Sequence, residues 1–386
     1  MKNWLENGSV MFDFIMPVLS TFFKCRMNLA PKPFWLNFAV TYRCNARCQM
    51  CGIWRKKPVE ELSLTEIEKL FSEPILANVK YVMLTGGEPF LREDLPDLVS
   101  IIFRNLHNPR IVISSNGLAT RTIIKSLRNL CSLVPPKNLA VGFSLDGIGK
   151  THDLVRGIPG AFTNVMRTLK SVRTMNLGLA RLGVGFTLMK SNISDIFEVY
   201  DLSKKIGVGF DFGAVHESNT FYANVGDIAN RKLDRDDIDK LSCFLKQFLA
   251  NLANNPSRPT DLINYVYYKF ILKYLVNPKV QPIPCFSGIA SLFIQPNGDV
   301  NPCIFMPKIG NIRENTMVDI LFRANQTYFD KIRRGRCPNC WSICEVYKNI
   351  VLNSSSRYVW KQYGEMILQP VVSGITNVFK RHRKEE

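Results

Sequence analysis

The sequence predicts an α/β protein: a partial, TIM-like (β/α)6 barrel, then a small α+β domain stapled by cysteines, then a C-terminal helix. Three observations carry this. From Trp35 to about Gly213, short β-rich runs alternate six times with helical patterns. Beyond Gly213 the texture changes, first to charged amphipathic helices and then to a segment dense in Cys, Gly and Pro. The chain has 386 residues, 46% hydrophobic and 21% charged. That is enough for more than one core and excludes a disordered or fibrous protein.

The strand candidates are Trp35–Thr41, Lys80–Thr85, Arg110–Ser115, Leu139–Leu145, Arg181–Leu188 and Val208–Gly213. Ser63-Leu64-Thr65-Glu66 is a capping box that opens a helix through about Phe71. Later helical patterns cover Leu95–Asn105, Arg121–Leu130, Ala161–Met175 and Asp195–Ile206, with Gly207 where a helix C-terminal glycine belongs. Repeated strand–helix units imply a parallel sheet with right-handed crossovers, whose site lies at the C-terminal strand ends. An open doubly wound sheet is the alternative from pattern alone. Arg231 to Tyr274 reads as helices around the break at Asn254–Pro259, and Pro296-Asn297-Gly298-Asp299 marks a hairpin. The expected organisation is a docking segment at 1–34, the barrel at 35–215, a helical linker at 216–280, the cysteine-stapled domain at 281–350 and a basic C-terminal helix at 351–386.

Ser9 to Phe23 is apolar but carries Asp13 and Pro17. It is too short to span a bilayer and lacks the basic start and cleavage site of an export signal. An interfacial or docking helix is the expectation, in a cytoplasmic protein with peripheral contact at the inner membrane face. Eleven cysteines in such a compartment point to metal ligation rather than disulfides.

Cys44-Asn45-Ala46-Arg47-Cys48-Gln49-Met50-Cys51 directly follows the first strand. Three thiolates on one loop suit a four-iron cluster with one iron left open for chemistry. A zinc knot with a distant fourth ligand is the alternative on spacing alone. Thr85-Gly86-Gly87-Glu88-Pro89 ends the second strand, where paired glycines let a ligand approach the backbone closely.

With these two motifs at this separation, the sequence resembles the radical S-adenosylmethionine (SAM) superfamily. The resemblance implies that Cys44, Cys48 and Cys51 hold a [4Fe–4S] cluster whose open iron chelates SAM. Gly86, Gly87, Glu88 and Pro89 would surround the SAM amino group. Reductive cleavage would then give a 5′-deoxyadenosyl radical that abstracts a substrate hydrogen. Met50 stands where relatives usually carry an aromatic residue; its thioether can still pack on adenine. Ser115 and Asn116 fall where relatives contact the ribose. Ser144, Asp146, His152, Arg156 and Asn192 follow in register, with Arg156 suited to the SAM carboxylate.

Cys285, Cys303, Cys337, Cys340 and Cys344 occupy one turn-rich segment. Spacing alone allows zinc or [4Fe–4S]. The segment resembles the SPASM/twitch extension of radical SAM enzymes. Five cysteines are too few for the full form, so the resemblance implies a twitch-like domain with one auxiliary [4Fe–4S] cluster. Cys285, Cys303, Cys337 and Cys340 are the leading ligands, and Cys344 is a substitute or spare. Cys25, Cys131 and Cys243 read as buried small hydrophobes.

Lys and Arg number 50 against 32 Asp and Glu, a net charge of +18. Basic runs at Phe103–Ala140 and Val165–Lys190 contain no acid, Arg333, Arg334 and Arg336 precede Cys337, and the C-terminus is basic. Any single run reads as a solvated helix face. Together with the apolar N-terminus they suggest an anionic surface, membrane lipid before nucleic acid. The expected activity is hydrogen abstraction from a peptide, a protein or a membrane-associated lipid, fed by an external donor such as ferredoxin or flavodoxin. The rival is a non-catalytic zinc- or iron–sulfur-binding interaction protein.

Overall fold

The structure is a computed structural model that describes residues 32–226, 232–254, 260–278, 282–327, 337, 339–353, 359, 361–364 and 366. Residues 1–31 of the expected N-terminal docking segment, with Cys25, and Arg333, Arg334, Arg336 and the basic C-terminus lie outside the described residues. Among the described residues no helix is long and apolar enough to cross a membrane.

Among the described residues, nine strands form one open sheet in the order β6-β5-β4-β3-β2-β1-β7-β8-β9. The six expected strands are present as β1 (Trp35–Thr41), β2 (Tyr81–Gly86), β3 (Arg110–Ser115), β4 (Leu139–Ser144), β5 (Arg181–Leu188) and β6 (Gly209–Ala214). They pair in sequence order and in parallel. Every residue of β1 is buried, as a central parallel strand covered on both faces requires. The partial barrel does not close into a ring: β6 and β9 are the two sheet edges.

The crossover helices are α1 (Leu64–Phe71), α2 (Leu95–Asn105), α3 (Thr120–Leu133), α4 (Lys150–Arg156), α5 (Ala161–Met175) and α6 (Ile196–Ile206). The capping box at Ser63 and Glu66 forms in full, and Gly207 ends α6 in the left-handed conformation at φ 74°. Helix α4 is absent from the sequence reading. It has seven residues between two glycines and is too short to show a period. Within the basic runs, Arg121, Lys125, Arg128, Arg167, Lys170 and Arg173 are exposed on α3 and α5, as solvated helix faces, whereas Arg110 and Arg181 are half-buried on β3 and β5 and Arg181 pairs with Asp211.

Helices α7 (Arg235–Asn254) and α8 (Thr260–Val276) follow, and α8 packs on α7 and on β6. The expected hairpin is β7 (Ser291–Ile294) with β8 (Asp299–Asn301), extended by β9 (Gly310–Asn311). β7 pairs in parallel with β1, from Trp35 opposite Ser291 to Phe38 opposite Ile294, a pairing that sequence reading does not foresee and that joins the cysteine-rich segment to the barrel sheet. All four β7 residues are buried, and so short an apolar run carries no readable period. Helices α9 (Met317–Thr327) and α10 (Ile343–Leu352) complete the described elements, and α10 lies against α8.

Candidate functional site

The loop after β1 carries Cys44, Cys48 and Cys51 and is clamped by backbone from three neighbours. At the end of β2, Gly87 N donates to Thr41 O at 2.8 Å and Glu88 N to Arg43 O at 2.8 Å. A Cβ on Gly87 would stand 2.2 Å from Arg43 O, so the close approach needs glycine. From α4, Arg156 O and Val155 O accept from Arg47 N and Gln49 N, each at 2.9 Å. Gly157 follows at φ 63°, and a Cβ there would meet Arg47 O at 2.3 Å. From the segment after β6, Tyr222 O accepts from Gly52 N at 2.7 Å, and the buried Asn224 donates to Met50 O at 2.7 Å. Asn224 and Tyr222 escape sequence reading because a lone polar residue in a loop carries no spacing signal.

The three thiols share one electrostatic neighbourhood. Burial pushes the Cys51 thiol up to about 12, with Cys48 and Cys44 adding to the rise and Arg156 opposing it. Burial also raises Cys44, and Cys48 reinforces the shift. Asn116 Nδ2 points at Cys44 Sγ from 3.7 Å, and Arg156 Nη1 at Cys48 Sγ from 3.4 Å. Cys48 and Met50 pack with Ala46, Val155, Met189 and Val215. Met50 therefore sits in the wall of the loop. Metal loading must displace the thiol protons, and the cation at Arg156 favours the thiolate that remains.

Around this loop, the expected SAM contacts divide into two groups. Glu88 is fully buried, and its carboxylate accepts from Asn116 N at 2.7 Å and Phe90 N at 3.2 Å. Burial lifts it to about 7. It braces the β2 end against the β3 end, with Pro89 opening the short turn that follows. Ser115 Oγ accepts from Gly117 N at 3.1 Å. Ser144 closes β4, half-buried. Asn192 is fully occupied by backbone: it donates to Asp146 O and Thr187 O and accepts from Met189 N. Its side chain holds the β5 end in shape.

Sequence reading expects Arg156 to serve a ligand carboxylate. The structure gives it a protein carboxylate instead: Arg156 pairs with Asp146, both buried. Asp146 Oδ1 also accepts from Thr187 N at 2.6 Å. Arg156 Nε is buried without a hydrogen-bond partner, so one donor remains for a ligand. His152 Nδ1 accepts from Asp146 N at 3.0 Å, which fixes the neutral tautomer.

Burial drops His152 to about 3. A group whose folded value lies below its unfolded one leaves the unfolded chain holding more protons, so stability falls as pH falls through the unfolded value near 6.5. The expected loss is about 1.4 kcal/mol per pH unit below that point. Denaturant titrations at pH 7 and pH 5 check it: His152→Gln should remove this part of the acid dependence.

The second cysteine group straddles the hairpin. Cys285, Cys303 and Cys337 pack with Met306 and Phe305. Cys340 is buried within electrostatic reach of Cys285 and Cys303, which raise it further. Cys344 stands apart: its Sγ faces Met83 Sδ on β2 at 3.4 Å, and its charged neighbours are Glu345 and Lys348 rather than thiols. Among the described residues no three ligating side chains lie close enough to share a single metal ion. A polynuclear cluster, whose irons stand apart, takes thiolates from further apart. Cys131 packs half-buried on the core, but Cys243 is exposed, which corrects the expectation that it is buried.

Beneath the second group lies a buried ion pair, Glu345 with Lys348. Ser287 Oγ donates to Glu345 and lies 3.3 Å from Cys285 Sγ, and Asn37 of β1 reaches Glu345 at 3.4 Å. Lys348→Met would strand a buried carboxylate and should destabilise the chain by about 3 kcal/mol. Chemical denaturation measures it, and Glu345→Gln added to Lys348→Met should recover most of the loss.

Comparison with known proteins fits this geometry. The radical SAM superfamily model matches residues 38–202, and the SPASM iron–sulfur cluster-binding domain matches residues 285–344. The Fe-coproporphyrin III synthase of Methanosarcina barkeri is 34% identical over 167 residues, 42% of this chain and 39% of that protein. The AdoMet-dependent heme synthase of the same organism is 26% identical, covering 86% of this chain and 93% of its own length. The antilisterial bacteriocin subtilosin biosynthesis protein AlbA of Bacillus subtilis is 24% identical, over 82% of this chain and 65% of that protein. The fold is similar to that of Streptococcus suis SuiB bound to precursor peptide SuiA, with a TM-score of 0.56 at 14% identity, 78% of this chain and 66% of SuiB. The chain belongs to the radical SAM superfamily: it is an enzyme with a C-terminal SPASM domain, and its cofactors are SAM, a [4Fe–4S] cluster and auxiliary iron–sulfur binding.

Proposed function

We propose that Cys44, Cys48 and Cys51 hold the SAM-binding cluster, that Cys285, Cys303, Cys337 and Cys340 hold one auxiliary [4Fe–4S] cluster, and that the enzyme modifies a peptide. The observation that carries the first assignment is the clamp of Gly86, Gly87 and α4 on the three-thiol loop. A loop fixed by backbone on three sides presents its thiols without reorganisation. The donor set also fits the cofactor: one buried and two half-buried thiols near the cation of Arg156, with backbone of paired glycines adjacent. When bound, the cluster supplies the electron that cleaves SAM to methionine and a 5′-deoxyadenosyl radical, which takes a hydrogen atom from the substrate.

The chain's own residues have definite tasks in this reading. Arg156, held by Asp146, opposes the negative charge of the Cys48 thiolate. Asn116 orients toward Cys44. Glu88 locks the β2 and β3 ends together so that Gly86 and Gly87 face the loop. Val155, Met189 and Val215 exclude water from the Cys48 side. An external low-potential donor, ferredoxin- or flavodoxin-like, would supply the electron.

Peptide substrates are supported by AlbA, whose name places it in bacteriocin biosynthesis, and by SuiB, which binds a precursor peptide. A second reading, a tetrapyrrole substrate, is favoured by the heme synthase, because that similarity runs along nearly the whole length of both chains. The lipid alternative rests on the basic runs, whose exposed cations lie on α3 and α5, and on the chain termini, which lie outside the described residues; it gains no support. The test is isotopic: the reconstituted enzyme is given SAM, dithionite and perdeuterated peptides encoded beside its gene. Deuterium in 5′-deoxyadenosine supports the peptide reading; deuterium arriving only from a labelled tetrapyrrole replaces it with the second.

A further inference from the structure

We infer that a cavity beside the first cysteine loop is a binding site for a carboxylate group of the substrate; this rests on the reading of the chain as a SAM-dependent enzyme. The cavity has a volume of about 560 Å³ and is lined by Tyr42, Arg43, Cys44, Trp54, Lys56, Pro58, Val59 and Glu61. That is ample for a group the size of a few residues or a ring system. Gly86, Gly87, Glu88, Asn116 and Arg156 are not among its lining residues, so it is separate from the proposed SAM contacts while sharing Cys44 with the cluster loop.

Its chemistry favours an anion. From Arg43 to Lys57 the chain has Arg43, Arg47, Arg55, Lys56 and Lys57 and no acid. Lys56 is half-buried, sits over the Tyr42 ring at 4.4 Å and donates to Thr220 O at 2.8 Å. No carboxylate pairs with it among the described residues, and burial lowers its pKa. Trp54 Nε1 is buried without a hydrogen-bond partner. Arg47 and Arg55 stack their guanidinium groups over the Trp54 ring at 5.1 and 4.8 Å, adding positive potential around that N–H. The one opposing lining group, Glu61, is engaged by Thr41 Oγ1 at 2.5 Å and by Arg43 at 3.6 Å.

A buried N–H without an acceptor and a half-buried ammonium with no carboxylate partner are both costly, and a carboxylate bound in the cavity would relieve both through charge-assisted hydrogen bonds. Tyr42, Trp54, Pro58 and Val59 offer apolar contact to the carbon skeleton bearing it. The acid group could come from a Glu- or Asp-rich peptide or from a carboxylated tetrapyrrole. Both present the same chemistry to Lys56 and Trp54.

The test uses the anaerobically reconstituted holoenzyme with saturating SAM and about 0.3 M salt, which screens the diffuse charge of the chain. The probes are coproporphyrin, its neutral methyl ester, a Glu-rich peptide and its Gln-for-Glu counterpart, with binding read by fluorescence. At least one acid probe should bind, its neutral partner at least tenfold more weakly, and which acid binds identifies the source. Lys56→Met should weaken that binding about tenfold and Lys56→Arg should preserve it. Lys170→Met, a distant exposed cation on α5, should leave it unchanged. Equal binding of the neutral probe, no effect of Lys56→Met, equal loss in Lys170→Met, or no binding of either acid would each overturn the site. A holoenzyme that forms no 5′-deoxyadenosine with dithionite would instead overturn the proposed function.

Discussion

Replacing Cys44, Cys48 and Cys51 together by alanine should reduce 5′-deoxyadenosine formation to background while the chain stays folded. The thiols lie on a loop whose shape is set by backbone bonds to Gly87, Glu88, Val155, Arg156 and Tyr222, and none of those bonds needs sulfur. Iron should fall from about eight to about four atoms per chain, since only one of two four-iron clusters is lost. Circular dichroism and iron analysis report folding and loading alongside the activity. If the triple variant still cleaves SAM, the thiols of this loop do not carry the reaction.

Arg156→Met should be the most damaging single substitution away from the thiols. It strands Asp146 as a buried carboxylate, which costs about 3–5 kcal/mol. It also removes the cation that points at Cys48 Sγ. Unfolding in denaturant should shift accordingly, and the reduction potential of the first cluster should fall, because a nearby positive charge favours the added electron. Arg156→Met with Asp146→Asn should recover much of the stability but not the potential. Recovery of both would mean that Arg156 acts only through folding. No shift in stability for the single variant would mean that the pair with Asp146 is not worth its burial.

The barrel was legible because each unit announced itself through a β-rich run, a helical period and local punctuation such as Ser63 or Gly207. The first cysteine group is legible because its spacing is local, and the second because Cys285, Cys303, Cys337, Cys340 and Cys344 share one turn-rich segment. What the sequence hid is non-local. Helix α4 supplies two backbone acceptors to the cysteine loop, and nothing in its seven residues signals that role. Arg156 was expected at a ligand, but its principal partner is Asp146, ten positions earlier and brought close by the turn into α4. The parallel pairing of β7 with β1 joins segments far apart in the chain through a four-residue apolar run. Cys344 illustrates the limit most plainly: five cysteines shared one stretch of sequence, and only the register of α10 turns this one toward Met83 and away from the other four.

The most direct test is electron paramagnetic resonance of the reduced enzyme in which Cys285, Cys303, Cys337 and Cys340 are all alanine. One [4Fe–4S] signal should remain, and adding SAM should shift it, because the cluster on Cys44, Cys48 and Cys51 retains an open iron. A signal that SAM leaves unchanged, or the loss of all signal while the chain stays folded, would contradict the assignment of the SAM site to this loop.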